Sequence, residues 1–364
     1  MSEITVEAIP ERGDDPNAAL LDVKDYRVGF KTERGLAKAV DGVTFRLDKG
    51  KTLGIVGESG SGKSVLNRSI MGLVVSSNQI EEGSVRFDGT EIVNTDRQPF
   101  WGNRMSMIFQ DPMTSLNPVM KVGRQIGEPL KLHLGMDKGQ QRERATELLT
   151  QVGIPEPARR LHQYPHELSG GMRQRVMIAI ALAGEPDFLV ADEPTTALDV
   201  TVQKYILDLL NELQRDRHMA MTLITHDLGV ARGRTDDLLV MYGGRVMEQA
   251  PTDVLFSAMR HPYSEALLES IPTLDHPKHT RLNPIPGSPP DIVAPPPGCR
   301  FAPRCRYAQH RCTTELPELE SDGNHHYACF YPVGTDASTE ALKNNVDKGA
   351  TAVGLPISKE GRLG

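Results

Sequence analysis

Between Thr52 and Val65 the chain runs Thr-Leu-Gly-Ile-Val and then Gly57-Glu58-Ser59-Gly60-Ser61-Gly62-Lys63-Ser64-Val65. No other stretch limits so tightly what the polypeptide can become. A short apolar run bounded by glycine reads as a buried strand, and Gly57, Gly60 and Gly62 permit a turn that residues with a Cβ do not follow. A helix is predicted to open at Lys63. The G-x-x-x-x-G-K-S spacing lets the N–H groups of Gly60, Gly62, Lys63 and Ser64 converge on one point at the positive end of that helix, which suits a phosphate. Lys63 supplies a point charge for β and γ phosphates, and the Ser64 hydroxyl suits Mg2+.

Further motifs follow in a fixed order. Gln110 comes after the apolar Met107-Ile108-Phe109. Leu168-Ser169-Gly170-Gly171-Met172 opens a helix predicted to reach about Gly184, with Ser169 as its cap and free N–H groups suited to a second phosphate contact. Phe188-Leu189-Val190-Ala191 is an apolar strand ending in Asp192-Glu193. The first carboxylate suits Mg2+, and the second suits a general base or a group orienting the attacking water. Ala197-Leu198-Asp199 follows, and His226 closes another apolar strand, Met221 to Thr225.

This ordered set, spread over roughly residues 20 to 255, resembles the ATP-binding subunits of ABC transporters. The resemblance implies an α/β fold: a P-loop ABC-type nucleotide-binding domain with a mixed sheet core, an antiparallel β subdomain and an α-helical insertion. It assigns Gln110 to the loop that senses Mg2+ and contacts a membrane subunit, and His226 to the switch histidine at the γ phosphate. Asp199 falls in the loop that crosses the dimer interface. Ser169, Gly170 and Gly171 dock on the ATP of a second subunit. An aromatic stacks on adenine in such proteins; Tyr26 and Phe30 both qualify, and Phe30 is preferred.

The 364 residues suffice for one large domain plus a smaller one, and 38% hydrophobic content supports a real core. The expected boundaries are a disordered tail over 1–19, the ATPase over 20–255 with its helical part at about 112–186, a C-terminal extension over 256–332, and a flexible tail over 333–364. Within the helical part, Glu143, Leu148, Leu149 and Val152 mark one amphipathic helix, closed by Pro155 and Pro157. The proline-rich stretch from Asn283 to Gly298 is predicted to be an extended connector separating the ATPase from the C-terminal end.

A net charge of −7 argues against nucleic acid as a partner. No leader-like segment is evident, and no apolar run reaches the roughly 18 to 20 residues that span a bilayer. The expectation is a peripheral protein on the cytoplasmic face of the cell membrane.

All four cysteines lie between 299 and 329, as Cys299, Cys305, Cys312 and Cys329. In a reducing compartment two structural disulfides are disfavoured, and four thiolates suit zinc or an iron–sulfur cluster, although the close pairs usual for zinc are missing. With His261-Pro262-Tyr263, read as a turn opening a helix, this region resembles the C-terminal extension of the ATPase subunits of dipeptide and oligopeptide importers. That resemblance implies a [4Fe-4S] cluster, with Zn2+ and four unliganded thiols as the alternatives. It also implies a second, non-identical ATPase subunit, two transmembrane permease subunits and, indirectly, an extracellular or periplasmic solute-binding protein. Nickel, glutathione or oligosaccharide uptake is the alternative cargo. A soluble ABC ATPase of DNA repair or translation is the alternative class, disfavoured by the acidic charge and the single cassette.

Overall fold

The computed structural model describes residues 19–74, 76–196, 199–270 and 285–363. Two compact units emerge: Met1–Asp22, Arg46–Thr52 and Arg86–Ile224 form one, and Val23–Phe45, Leu53–Val85 and Thr225–Gly364 form the other.

In the first unit, Met105–Ile108, Phe188–Asp192 and Ala220–Thr225 pair in parallel, with Met107 opposite Val190 and Asp192 opposite Ile224. All three strands are buried along their length, which is why they read as continuous apolar runs without alternation. Helices Val122–Leu134, Lys138–Gln151 and Gly170–Ala183 form the α-helical insertion and pack on one another. Asp137 opens the second of them with a reciprocal capping box to Gln140. In the same unit Arg104, 5% exposed, donates to Asp88 at 2.7 Å and also to Asp187.

In the second unit, Thr52–Val56 runs parallel to Asp237–Tyr242, which turns through Gly243-Gly244 into the antiparallel Arg245–Pro251. Short strands His325–Tyr327 and Glu320–Asp322 extend this sheet. The antiparallel β subdomain places Leu21–Thr32 between Gly35–Leu47 and Gln79–Phe87.

Two expectations need correction. Residues 285–298 do lack helix and strand, but the stretch does not set the cysteine region apart. Val56, Tyr242, Tyr263, Phe301, Cys305 and Cys312 share one apolar core, and the Ile292 carbonyl accepts from Lys38 N–H at 2.9 Å. The flexible tail expected over 333–364 instead carries a helix, Asp336–Lys348, capped by Thr335 and stopped at Gly349 in the left-handed region. Its buried face is small and polar, with Ser338, Ala341 and Asn345. Asn345 donates to the carbonyls of Arg306 at 2.8 Å and Ala308 at 3.2 Å. A face built from Ser, Ala and Asn leaves no hydrophobic period to read. The tail expected over 1–19 lies outside the described residues except for its last position.

Candidate nucleotide-binding site

Gly57 adopts φ +152°, and a Cβ there would sit 2.2 Å from the Met241 carbonyl oxygen. Gly62, at φ +104°, would bring one within 2.4 Å of the Ala39 carbonyl. Both glycines are therefore demanded by backbone packed against backbone. Gly60, at φ +78°, faces open space. The chain then enters helix Lys63–Ile70 with Gly62 as its cap. Lys63 is 4% exposed and curls over the turn, donating to the Gly57 carbonyl at 2.8 Å and the Glu58 carbonyl at 2.9 Å. Ser61 is buried while Ser59 and Gly60 are exposed, so the loop presents its outer rim. A glycine turn leading into a helix N-terminus, with a buried ammonium beside it, suits a polyphosphate. Ser64 and Val65 occupy the first helical turn.

In the other unit, Asp192 ends its strand fully buried, and Glu193, with φ +46°, occupies the left-handed region that a non-glycine residue seldom adopts. Its N–H donates to the Ile224 carbonyl at 3.1 Å. Its carboxylate accepts from Gln110 Nε2 at 3.1 Å and from Thr196 Oγ1 at 2.9 Å. Gln110 and Glu193, 83 residues apart, are thus brought together as a polar pair at one end of the parallel strands. That arrangement can orient a water and a divalent cation.

Ser169 caps helix Gly170–Ala183, its Oγ accepting from Met172 N–H at 3.3 Å. Ser169 and Gly170 are exposed, and a Cβ added at Gly170 would meet nothing within 4 Å among the described residues. Asp199 caps helix Val200–Asp216 through Thr201 and Val202. Ala197 and Leu198 lie outside the described residues. His226, in the second unit, is exposed just after its strand. Tyr26 is fully buried, so of the two aromatics only the partly exposed Phe30 has a face to offer.

The four cysteines line one small cavity, walled also by His261, Phe301 and Tyr307. Burial pushes the Cys299 thiol up to about 11 and raises Cys305, Cys312 and Cys329 as well. The donor chemistry fits a thiophilic metal or cluster: four sulfurs and no carboxylate in the wall. The predicted ligand set is nevertheless only gathered around the cavity. Among the described residues no three His, Cys, Asp or Glu side chains stand together as a metal-binding group.

Sequence reasoning missed the wiring between the C-terminal extension and the phosphate loop. Glu248, fully buried, accepts from the N–H groups of Arg260 at 2.6 Å and His261 at 3.0 Å, and pairs with His325 Nε2 at 2.7 Å. His261 then caps helix Pro262–Glu269 by accepting from Tyr263 N–H at 3.0 Å. Burial holds His261 down at about 4 and so neutral, as a cap acceptor must be. Tyr263 is thereby fixed against Tyr242 and Phe301, with its hydroxyl 2.7 Å from the Glu58 nitrogen. Only the spacing of the His-Pro-Tyr triplet hinted that a cap lay there.

Phosphate loop, acid-tipped strand and serine-capped helix define the class of cassette ATPases. The family profile described as ABC transporter matches residues 40–196, and that described as the C-terminal region of oligopeptide/dipeptide transporters matches 247–312. The oligopeptide transport ATP-binding protein OppD of Bacillus subtilis (strain 168) is 46% identical over 346 residues, 93% of this chain and 97% of the relative. That of Escherichia coli (strain K12) is 50% identical over 318 residues, covering 86% and 94%. Among solved structures, the dimeric ATP-binding cassette MJ0796 bound to ADP and Pi aligns with a TM-score of 0.56 at 29% identity, over 64% of this chain and 98% of that one. The chain belongs to the ATP-binding proteins of the ABC transporter family, in the branch that carries the oligopeptide/dipeptide C-terminal region.

Proposed function

We propose that the chain is the ATP-hydrolysing subunit that powers an importer of oligopeptides or dipeptides. ATP and Mg2+ are its cofactors. The loop from Gly57 to Val65 grips the triphosphate. Ser64, Asp192 and Gln110 serve the metal, Glu193 orients or deprotonates the attacking water, and His226 meets the γ phosphate. Phe30 stacks on the base.

Gly170 is the observation that carries the composite form of this site. Its backbone is helical, without positive φ, and a Cβ would meet nothing within 4 Å among the described residues. Neither conformation nor internal packing calls for glycine there, whereas close approach by a phosphate of a second subunit does. Two cassettes then sandwich two ATP molecules, with Ser169, Gly170, Gly171 and Asp199 facing the partner, which we read as a non-identical ATPase subunit. The dimeric form of the MJ0796 cassette supports the pairing of two cassettes.

Exposed apolar side chains on and beside the helical insertion, Met113 at 62%, Val119 at 80% and Leu132 at 70%, support docking to two permease subunits. Among the described residues no helix is long and apolar enough to cross a membrane. The protein is then peripheral, on the cytoplasmic face, and an external binding protein selects the solute. The cysteine cavity is read as the seat of a [4Fe-4S] cluster, with Zn2+ as the alternative metal. Cys299, Cys305, Cys312 and Cys329 would hold it, and it would crosslink the extension.

The test is peptide-stimulated ATP hydrolysis by the assembled complex in vesicles. Hydrolysis and peptide uptake that both vanish with Lys63→Ala are expected. Uptake that persists in that variant, or hydrolysis indifferent to peptide and binding protein, rejects the assignment.

A further inference from the structure

The second residue of the phosphate loop is held at both its backbone and its side chain by the C-terminal extension. Glu58 N–H donates to the Tyr263 hydroxyl at 2.7 Å, and its carboxylate receives a two-pronged ion pair from Arg304, at 2.5 Å and 2.9 Å. These partners lie 205 and 246 residues away in sequence. Arg304 is 4% exposed, and its remaining donors are spoken for: Nε by the Pro286 carbonyl at 2.7 Å, and the terminal nitrogens also by the Ile285 carbonyl at 3.0 Å and the Tyr242 hydroxyl at 3.1 Å. A guanidinium fixed from so many sides acts as a rigid fork.

We propose that Arg304 and Tyr263 are positioning residues for ATP binding, so that the cysteine-bearing extension is a working part of the phosphate site. The claim rests on the reading that this loop binds ATP. Lys63 is held by the carbonyls of Gly57 and Glu58, so anchoring Glu58 fixes the frame from which the ammonium reaches a phosphate. Ala302–Arg304 forms a short turn between Cys299 and Cys305, both of which line the cysteine cavity. The orientation of the fork therefore depends on the packing of that cavity wall. Without the clamp, Glu58 would leave the loop to sample other conformations, and each binding event would have to reorder it.

Equilibrium binding of a fluorescent ATP analogue with Mg2+ to the full chain tests this, in a double-mutant cycle of Glu58→Gln and Arg304→Gln, with Tyr263→Phe as the mildest probe and circular dichroism to verify folding. The expected result is a Kd raised on the order of tenfold by Arg304→Gln and several-fold by Tyr263→Phe, consistent with loss of a charged and a neutral hydrogen bond. The double variant should bind no more weakly than the worse single one, because both break the same link, and Arg304→Lys should recover part of the loss. A Kd within about twofold of wild type in both Arg304→Gln and Tyr263→Phe, or single effects that multiply in the double variant, overturns the proposal. Lys63→Ala separates the two levels. If the wild type binds and this control does not, the nucleotide reading stands whatever the clamp variants do; if neither binds, that reading falls and the clamp with it.

Discussion

Replacing Glu193 by Gln changes one oxygen to an amide nitrogen and almost nothing else. Backbone strain at φ +46° is the same for both side chains, and the N–H bond to the Ile224 carbonyl does not involve the side chain. The remaining amide oxygen still accepts from Thr196 Oγ1 or Gln110 Nε2, which contact a single carboxylate oxygen in the native protein. Glu193 is partly exposed, so the stability change should stay within about 0.5 kcal/mol. The chemical step is another matter. An amide cannot take a proton from water, and removal of a general base typically slows a reaction by about 10^2 to 10^4, or roughly 3 to 5 kcal/mol of barrier. Glu193→Gln should therefore melt like the wild type, bind ATP as tightly, and accumulate as an ATP-bound closed pair of cassettes. Thermal unfolding, nucleotide binding, single-turnover hydrolysis and gel filtration read these quantities separately. Hydrolysis within tenfold of wild type at unchanged affinity would remove Glu193 from the reaction. A large loss of melting temperature would instead show that the carboxylate holds the fold.

Gly170→Ala should leave the fold at least as stable, since the Cβ meets nothing and alanine is the better helix former by up to about 1 kcal/mol. ATP-driven pairing of cassettes should still weaken at least on the order of tenfold, and sedimentation with and without ATP checks it. Phe301→Ala empties a core position 2% exposed between Tyr242 and Tyr263 and should cost about 3 to 5 kcal/mol by denaturant unfolding. Arg104→Met takes the guanidinium from both the buried Asp88, which keeps its ion pair to Lys49 at 3.2 Å, and Asp187. A loss of about 3 to 5 kcal/mol is expected on the same assay. Anaerobically purified protein should contain iron and acid-labile sulfide that disappear in Cys305→Ser; stoichiometric zinc without sulfide would reject the cluster.

The phosphate loop was legible because its requirements are local. Gly57 and Gly62 are needed where the chain takes positive φ against a neighbouring carbonyl, and glycine at that spacing before Lys-Ser has few other uses. The Asp192-Glu193 strand end and the Ser169 cap were legible for similar reasons: apolar runs and cap chemistry depend on consecutive residues. The helix Asp336–Lys348 was not, since its buried face of Ser, Ala and Asn has no hydrophobic rhythm and is stabilised by hydrogen bonds to a distant turn. Sequence by itself determined the nucleotide chemistry and the order of the motifs. Tertiary structure alone decided that Arg304 and Tyr263 meet Glu58 across more than two hundred residues, and that His261, Phe301 and Tyr307 join the four thiols in walling one cavity. Steric limits on a turn are written into neighbouring residues, whereas an ion pair or a shared cavity exists only once the packing of the whole unit has brought its members into reach.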